Sequence, residues 1–158
     1  MTGSTLRGVL RPVELRDLRF LRDMLRHAYY WRIDEDRERP VYRYVQNWGR
    51  PGDAGVIALE GPHAAGAAWY RLFSERAPGF GFVDERTPEL TIAVVPNRRG
   101  HGTGTEMLTA LLERARADGY DAVSLSAAPE QETYYGKFGF ERVAETPYAV
   151  TMRLALKK

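Results

Sequence analysis

The spacing of apolar positions predicts a short strand over Leu6–Arg11, ended by Pro12. A helix of about four turns follows, in which Val13, Leu15, Leu18, Leu21, Leu25 and Ala28 recur at mostly helical intervals. Tyr42, Val45 and Trp48 or Gly49 suit one face of a second helix. Pro51-Gly52-Asp53 is turn chemistry, and Val56–Glu60 and Gly66–Phe73, joined through Gly61-Pro62-His63, predict a hairpin. Ser74–Pro88 is too long for a tight turn and too rich in glycine for a helix. It carries Phe80 and Phe82 where a loop is normally polar, which suggests a segment folding over a ligand.

The clearest pattern runs from Glu89 to Asp118. Leu90, Ile92 and Val94 alternate with Thr91, Ala93 and Val95 until Pro96, which cannot donate to a ladder. Gly100, Gly102 and Gly104 then strip every second position of its side chain. From Thr105 the residues Met107, Leu108, Leu111, Leu112 and Ala115 take helical spacing, with Gly119 placed to end the helix in a left-handed cap. Beyond it come a strand over Ala122–Ser126, a helix over Glu130–Lys137 begun by Pro129 and ended by Gly139, and closing strands over Phe140–Val143 and Tyr148–Leu156. No internal repeat or low-complexity segment interrupts this order.

With 158 residues the chain reads as a single domain, 1–158, large enough to fold without staples. It contains no cysteine, which excludes disulfides, thiolate metal sites and a cysteine nucleophile. His27, His63 and His101 share no ligand-like spacing, so no metal is expected. The formal net charge of +2 is spread along the chain rather than gathered on one face, which argues against a nucleic-acid partner. Met1–Arg11 lacks the apolar core of a signal peptide, and no run approaches the 18 or so apolar residues of a membrane span. The expectation is a soluble, cytoplasmic protein with no membrane contact.

A strand feeding a bare loop that opens a helix gathers unpaired N–H groups and the positive end of a helix dipole, a place for phosphate. Arg98 and Arg99 add cationic donors. The Walker spacing and the Gly-x-Gly-x-x-Gly fingerprint are both missing. Taken alone, such glycines also fit a surface connection that needs flexibility. Tyr29, Tyr30, Trp31, Tyr42, Tyr44 and Trp48, broken by Asp34-Glu35-Asp36, have two readings as well. They cover the sheet, or they wall an acceptor site in which a carboxylate draws in an ammonium group.

Arg99-x-x-Gly102-x-Gly104 after Val94-Val95-Pro96, followed one strand later by Tyr135-x-x-x-Gly139-Phe140, resembles the paired motifs of the GNAT superfamily of N-acyltransferases. The order of elements from Leu6 to Leu156 is similar too. The resemblance implies an α/β (α+β) fold, with a mixed, mostly antiparallel central sheet of about six to seven strands, flanked by helices and splayed at the central strands to admit pantetheine. It implies acetyl-CoA as co-substrate, with the backbone at Val94 and Val95 pairing pantetheine and Arg99, Gly100, His101, Gly102, Thr103, Gly104 and Thr105 holding the pyrophosphate. Tyr135 would lie near the thioester sulfur, and Glu89 would serve as general base. The pattern departs at Ala128, where many members carry asparagine.

The implied reaction transfers an acetyl group to a primary amine by direct attack in a ternary complex. The acceptor is expected to be a small molecule bound near Tyr30, Trp31 and Asp34. A protein or peptide acceptor, or a binding module without turnover, are the alternatives, and a homodimer is allowed. An amine with a pKa near ~10 arrives protonated, so a carboxylate or a water that it holds must receive the proton. A leaving thiolate with a pKa of about 8.5 would take a proton from tyrosine, near about 10, only uphill by roughly 2 kcal/mol. A hydrogen bond is therefore the expected role of Tyr135. Glu89 as a solvated strand-end carboxylate and Tyr135 as a core residue are the competing readings. Tyr134 competes for the tyrosine's role, but the spacing to Gly139-Phe140 favours Tyr135.

Overall fold

The computed structural model describes residues 9–29, 41–99 and 102–157. Its centre is a seven-stranded sheet of β1 (Val9–Pro12), β2 (Ala54–Glu60), β3 (His63–Arg71), β4 (Glu89–Val94), β5 (Ala122–Ala127), β6 (Glu141–Glu145) and β7 (Val150–Ala155), in the order β1-β2-β3-β4-β5-β7-β6. Every neighbouring pair is antiparallel except β4 and β5. Those two strands run parallel and share a single rung, Glu89 with Ser124, supported by the Ser124 N–H donating to Pro88 O at 3.0 Å. The expected splay therefore lies between β4 and β5.

Alternation along the strands divides the core between two faces. Ala67, Trp69 and Ala93 pack beneath α1 (Leu18–Tyr29), against Leu21, Met24, Leu25 and Tyr29. Ala68, Tyr70 and Leu90 pack on the other side, against Met107, Leu108, Leu111, Leu112 and Ala115 of α2 (Thr103–Ala117). The expected left-handed cap of α2 is present, with Gly119 at φ +87° and Tyr120 N–H returning to Ala115 O. No helix among the described residues is long and apolar enough to cross a membrane.

Three elements differ from the expectation. The first helix opens later than Val13, because Val13 N–H still bonds Gly55 O at 2.9 Å and Glu14 is extended. Asp17 then accepts from Glu14 N–H and from both terminal nitrogens of Arg11, which lowers its pKa. In place of the second helix there is one 3-10 turn, Val41–Tyr44, followed by Asn47 and Gly49 at positive φ. Val45 is buried and Trp48 packs against the same cluster as expected, but Tyr42 is 45% exposed and Tyr44 is buried in its stead. The last helix is reduced to a 3-10 turn at Pro129–Gln131 and the five residues of α3 (Glu132–Gly136).

The segment between β3 and β4 is not a loose cover either. Phe80 is buried against the rings of Tyr29 and Tyr44. Gly79 and Gly81 allow the approach: a Cβ on Gly79 would stand 2.3 Å from Glu89 Oε1, and one on Gly81 would stand 2.5 Å from the Leu125 carbonyl carbon. Ser124 Oγ donates to Gly81 O at 2.8 Å, which fixes this segment at the rung where the splay begins.

Candidate active site

Between the diverging strands lies a cleft of about 480 Å³. Its walls are the β4 edge from Leu90 to Val94 and Leu125–Ser126 of β5, joined by the first turn of α2, by Tyr134 and Tyr135 of α3, and by His27–Tyr29 at the end of α1.

Of the residues expected to hold pyrophosphate, Arg99, Gly102, Thr103 and Gly104 line the cleft, as does Val94. Arg99 folds back so that its Nε donates to Val94 O at 3.1 Å. Gly102 takes φ +82° as the N-cap of α2, and Glu106 N–H bonds Gly102 O at 3.0 Å. The N–H groups of Thr103, Gly104 and Thr105 precede that bond and have no helical carbonyl to meet, so the positive end of the dipole is gathered there. Among the described residues, a Cβ on Gly104 would find only Val94 Cγ2, at 3.8 Å. Packing among the described residues therefore gives no reason for glycine at 104, and Gly104 lines the cleft. Val95 is set apart, because its N–H is taken by Ala65 O at 2.8 Å. Thr105 is exposed, and its hydroxyl bonds that of Tyr134 at 2.7 Å. Gly100 and His101 lie outside the described residues, as do Tyr30, Trp31 and Asp34.

Tyr135 reaches the cleft from α3, its ring edge-on to Phe140 and to Tyr134. Burial, with a smaller contribution from Tyr134, pushes its hydroxyl pKa up, so the group stays protonated and available as a donor. Tyr134 sits beside it as a bridge to α2. Ala128 N–H is met by the Gln131 side-chain oxygen at 3.0 Å, and both residues line the cleft, so an amide group returns one turn after the position where asparagine is missing.

Glu89 is 1% exposed and does not line the cleft. Its carboxylate accepts from the Tyr44 hydroxyl, which in turn accepts from Phe80 N–H at 2.7 Å. Two residues along the same face of β4, Thr91 Oγ1 bonds the Tyr29 hydroxyl at 2.9 Å, and both of these line the cleft. Burial and then the Glu89 charge push the Tyr29 and Tyr44 pKa values up. Sequence reasoning did not find Thr91, and it met Tyr29 and Tyr44 only as members of an aromatic cluster that either covers the sheet or walls an acceptor site. Nothing local marks Tyr29 as the partner of Thr91, or Tyr44 as the partner of a carboxylate 45 residues away. Among the described residues, no group of three or more His, Asp or Glu is placed to hold a metal.

Solved structures share this architecture. The structure of yncA from Salmonella typhimurium with its cofactor acetyl-CoA superposes with a TM-score of 0.73 at 18% identity, covering 96% of this chain and 95% of that one. A ribosomal-protein-alanine N-acetyltransferase from Brucella melitensis gives 0.67 at 20% identity, covering 93% and 99%. A spermidine N-acetyltransferase chimera from Vibrio cholerae and hSSAT gives 0.65 at 15%, covering 95% and 96%. At such identities the likeness is one of fold. No curated protein matches the chain in sequence. The Acetyltransferase (GNAT) family matches residues 18–140, most of the chain and every residue that lines the cleft, and the chain belongs to that family.

Proposed function

We propose that this chain transfers an acetyl group from acetyl-CoA to a primary amine, with both substrates bound together. The observation that carries the reading is the cleft itself, which gathers the bare first turn of α2, Arg99, the β4 edge and Tyr135 around one space. Bound there, acetyl-CoA supplies an acyl group activated as a thioester. The N–H groups of Thr103 and Gly104 and the positive charge of Arg99 suit its pyrophosphate. The Tyr135 hydroxyl offers a hydrogen bond to negative charge developing at sulfur. Glu89 takes the proton that the amine must lose.

The acceptor we infer is a small primary amine, met near Tyr30, Trp31 and Asp34, whose aromatic and acidic character suits a compact cation. The neighbouring folds include both a spermidine and a ribosomal-protein-alanine N-acetyltransferase, so the test must span both acceptor types. Calorimetry with acetyl-CoA comes first, followed by thiol release across a panel of polyamines, aliphatic amines and peptides. Absence of binding at millimolar acetyl-CoA would sink the proposal. Binding without acceptor-dependent release would turn it into a binding module.

A further inference from the structure

A general base sealed from the cleft needs a route for the proton. Glu89 faces Tyr44 of the 3-10 turn and Tyr29 of α1, and its cross-strand neighbour is Arg71, whose guanidinium is held by Asp53 at 2.7 and 2.9 Å. Tyr44 donates to Glu89 and accepts from Phe80 N–H, which orients its O–H toward the carboxylate. The Tyr29 ring stands against that of Tyr44 with centroids 4.7 Å apart, its phenol has a hydrogen-bond interaction with that of Tyr44, and its hydroxyl is bonded to Thr91 at the cleft wall. The hydroxyls of Thr91, Tyr29 and Tyr44 thus form a file from the cleft to the buried carboxylate. Each of the three can donate to the next member toward Glu89 while accepting from the one before.

We propose that Thr91, Tyr29 and Tyr44 form a proton relay that carries the acceptor's proton from the cleft to Glu89. The inference rests on the acetyl transfer proposed above. In the step, an N–H bond of the bound ammonium breaks as Thr91 Oγ1 takes the proton. Thr91 passes its own proton to Tyr29, Tyr29 to Tyr44, and Tyr44 to Glu89. The amine is left neutral and Glu89 protonated, with every hydroxyl restored. No tyrosinate stands free along the way, in keeping with the raised pKa values of both phenols. Tyr44, which does not reach the cleft, is a positioning residue acting through Tyr29.

Thr91→Val, Thr91→Ser, Tyr29→Phe and Glu89→Gln separate the outcomes. Thiol release from acetyl-CoA would be followed with an aliphatic amine, protonated at neutral pH, and an aromatic amine, neutral there, from about pH 6 to about pH 10. Thr91→Val and Tyr29→Phe are expected to lose about 10-fold or more of kcat/KM for the aliphatic amine at neutral pH. The loss should fade as pH rises, be small for the aromatic amine, leave acetyl-CoA affinity unchanged, and be restored by Thr91→Ser. Wild-type pH profiles in Thr91→Val and Tyr29→Phe, beside a defective Glu89→Gln, would overturn the relay and leave Glu89 as a base reached by water. A wild-type profile in Glu89→Gln would overturn the base and the relay together. Without acceptor-dependent release in the wild type, the functional reading fails separately, and the file is read by NMR of ring-carbon-labelled tyrosines. Thr91→Val should then move the Tyr44 signal through Tyr29, and an unmoved signal refutes the file.

Discussion

Replacing Gly104 with alanine should move stability and cofactor affinity in opposite directions. Gly104 is the second residue of α2, its φ is not left-handed, and among the described residues an added Cβ meets only Val94 Cγ2 at ordinary contact distance. Alanine is better than glycine in a helix by up to about 1 kcal/mol, and roughly half of that applies in a first turn. For a chain of this length the gain corresponds to about 1–2 °C in Tm. The Cβ of a helical residue leans toward the N-terminus, here toward the cleft where the phosphate is expected. Crowding a close-packed contact by one methyl costs about 1–3 kcal/mol, or roughly 5- to 150-fold in Kd for acetyl-CoA. A thermal melt and a calorimetric titration on the same preparation read both effects. If Gly104→Ala binds acetyl-CoA within twofold of wild type while Tm rises, the glycine does not serve ligand approach. If Tm falls, the helix geometry has been misjudged.

Tyr135→Phe should lower kcat by about 10- to 1000-fold with little change in acetyl-CoA affinity, since one hydrogen bond to developing charge is lost and the ring packing is kept; steady-state kinetics beside calorimetry decides. Gly81→Ala should destabilise by about 1–3 kcal/mol in denaturant unfolding, because its Cβ would press on the backbone of Leu125 and Ser126, which cannot turn away as a side chain could; an unchanged midpoint would contradict it. The lowered pKa of Asp17 means that its contribution to stability is present above about pH 4 and is lost as pH falls through the lower folded value. Asp17→Asn should therefore cost about 1–2 kcal/mol at neutral pH and flatten the acid limb of the stability curve, as read by urea midpoints at several pH values.

The unit from Glu89 to Asp118 was legible because its signals are local. A period of two turns into a helical period across bare glycines, and Gly119 closes the helix at positive φ as its position suggested. The errors fall where a distant partner decides. Val13 and Leu15 fit a helical stripe, yet Val13 belongs to the sheet edge through Gly55 and Leu15 is 71% exposed. Of Tyr42, Val45 and Trp48 on one helical face, Val45 and Trp48 pack on the core but Tyr42 does not; Tyr44 is the buried tyrosine, its hydroxyl satisfied by Glu89 and Phe80. Phe80 looked like part of a cover and is core, since Gly79 and Gly81 bring the chain close enough to bury it. Glu89 enters through the family resemblance and its place at the start of a strand, and neither carries information about whether the carboxylate opens on the cleft or lies behind it.

What holds Tyr44 in place shows how a buried charge can serve a site without touching it. Arg71 is fully buried, its fork closed on Asp53, and its remaining terminal nitrogen donates to the carbonyls of Arg43 and Gln46 on either side of Tyr44. Trp69 Nε1 donates to the Tyr44 carbonyl at 2.9 Å, and Arg43 reaches Pro78 O at 2.6 Å on the segment that carries Gly79 and Phe80. A buried ion pair of this kind adds little net stability over a well-packed apolar pair. Its effect here is geometric: β3 grips the backbone of the 3-10 turn from below, and that turn aims one phenol at the carboxylate of the adjacent strand. Glu89 is thereby fixed beside the rung at which β4 and β5 part, so the point where the cleft opens and the group placed to receive a proton are set by the same contacts.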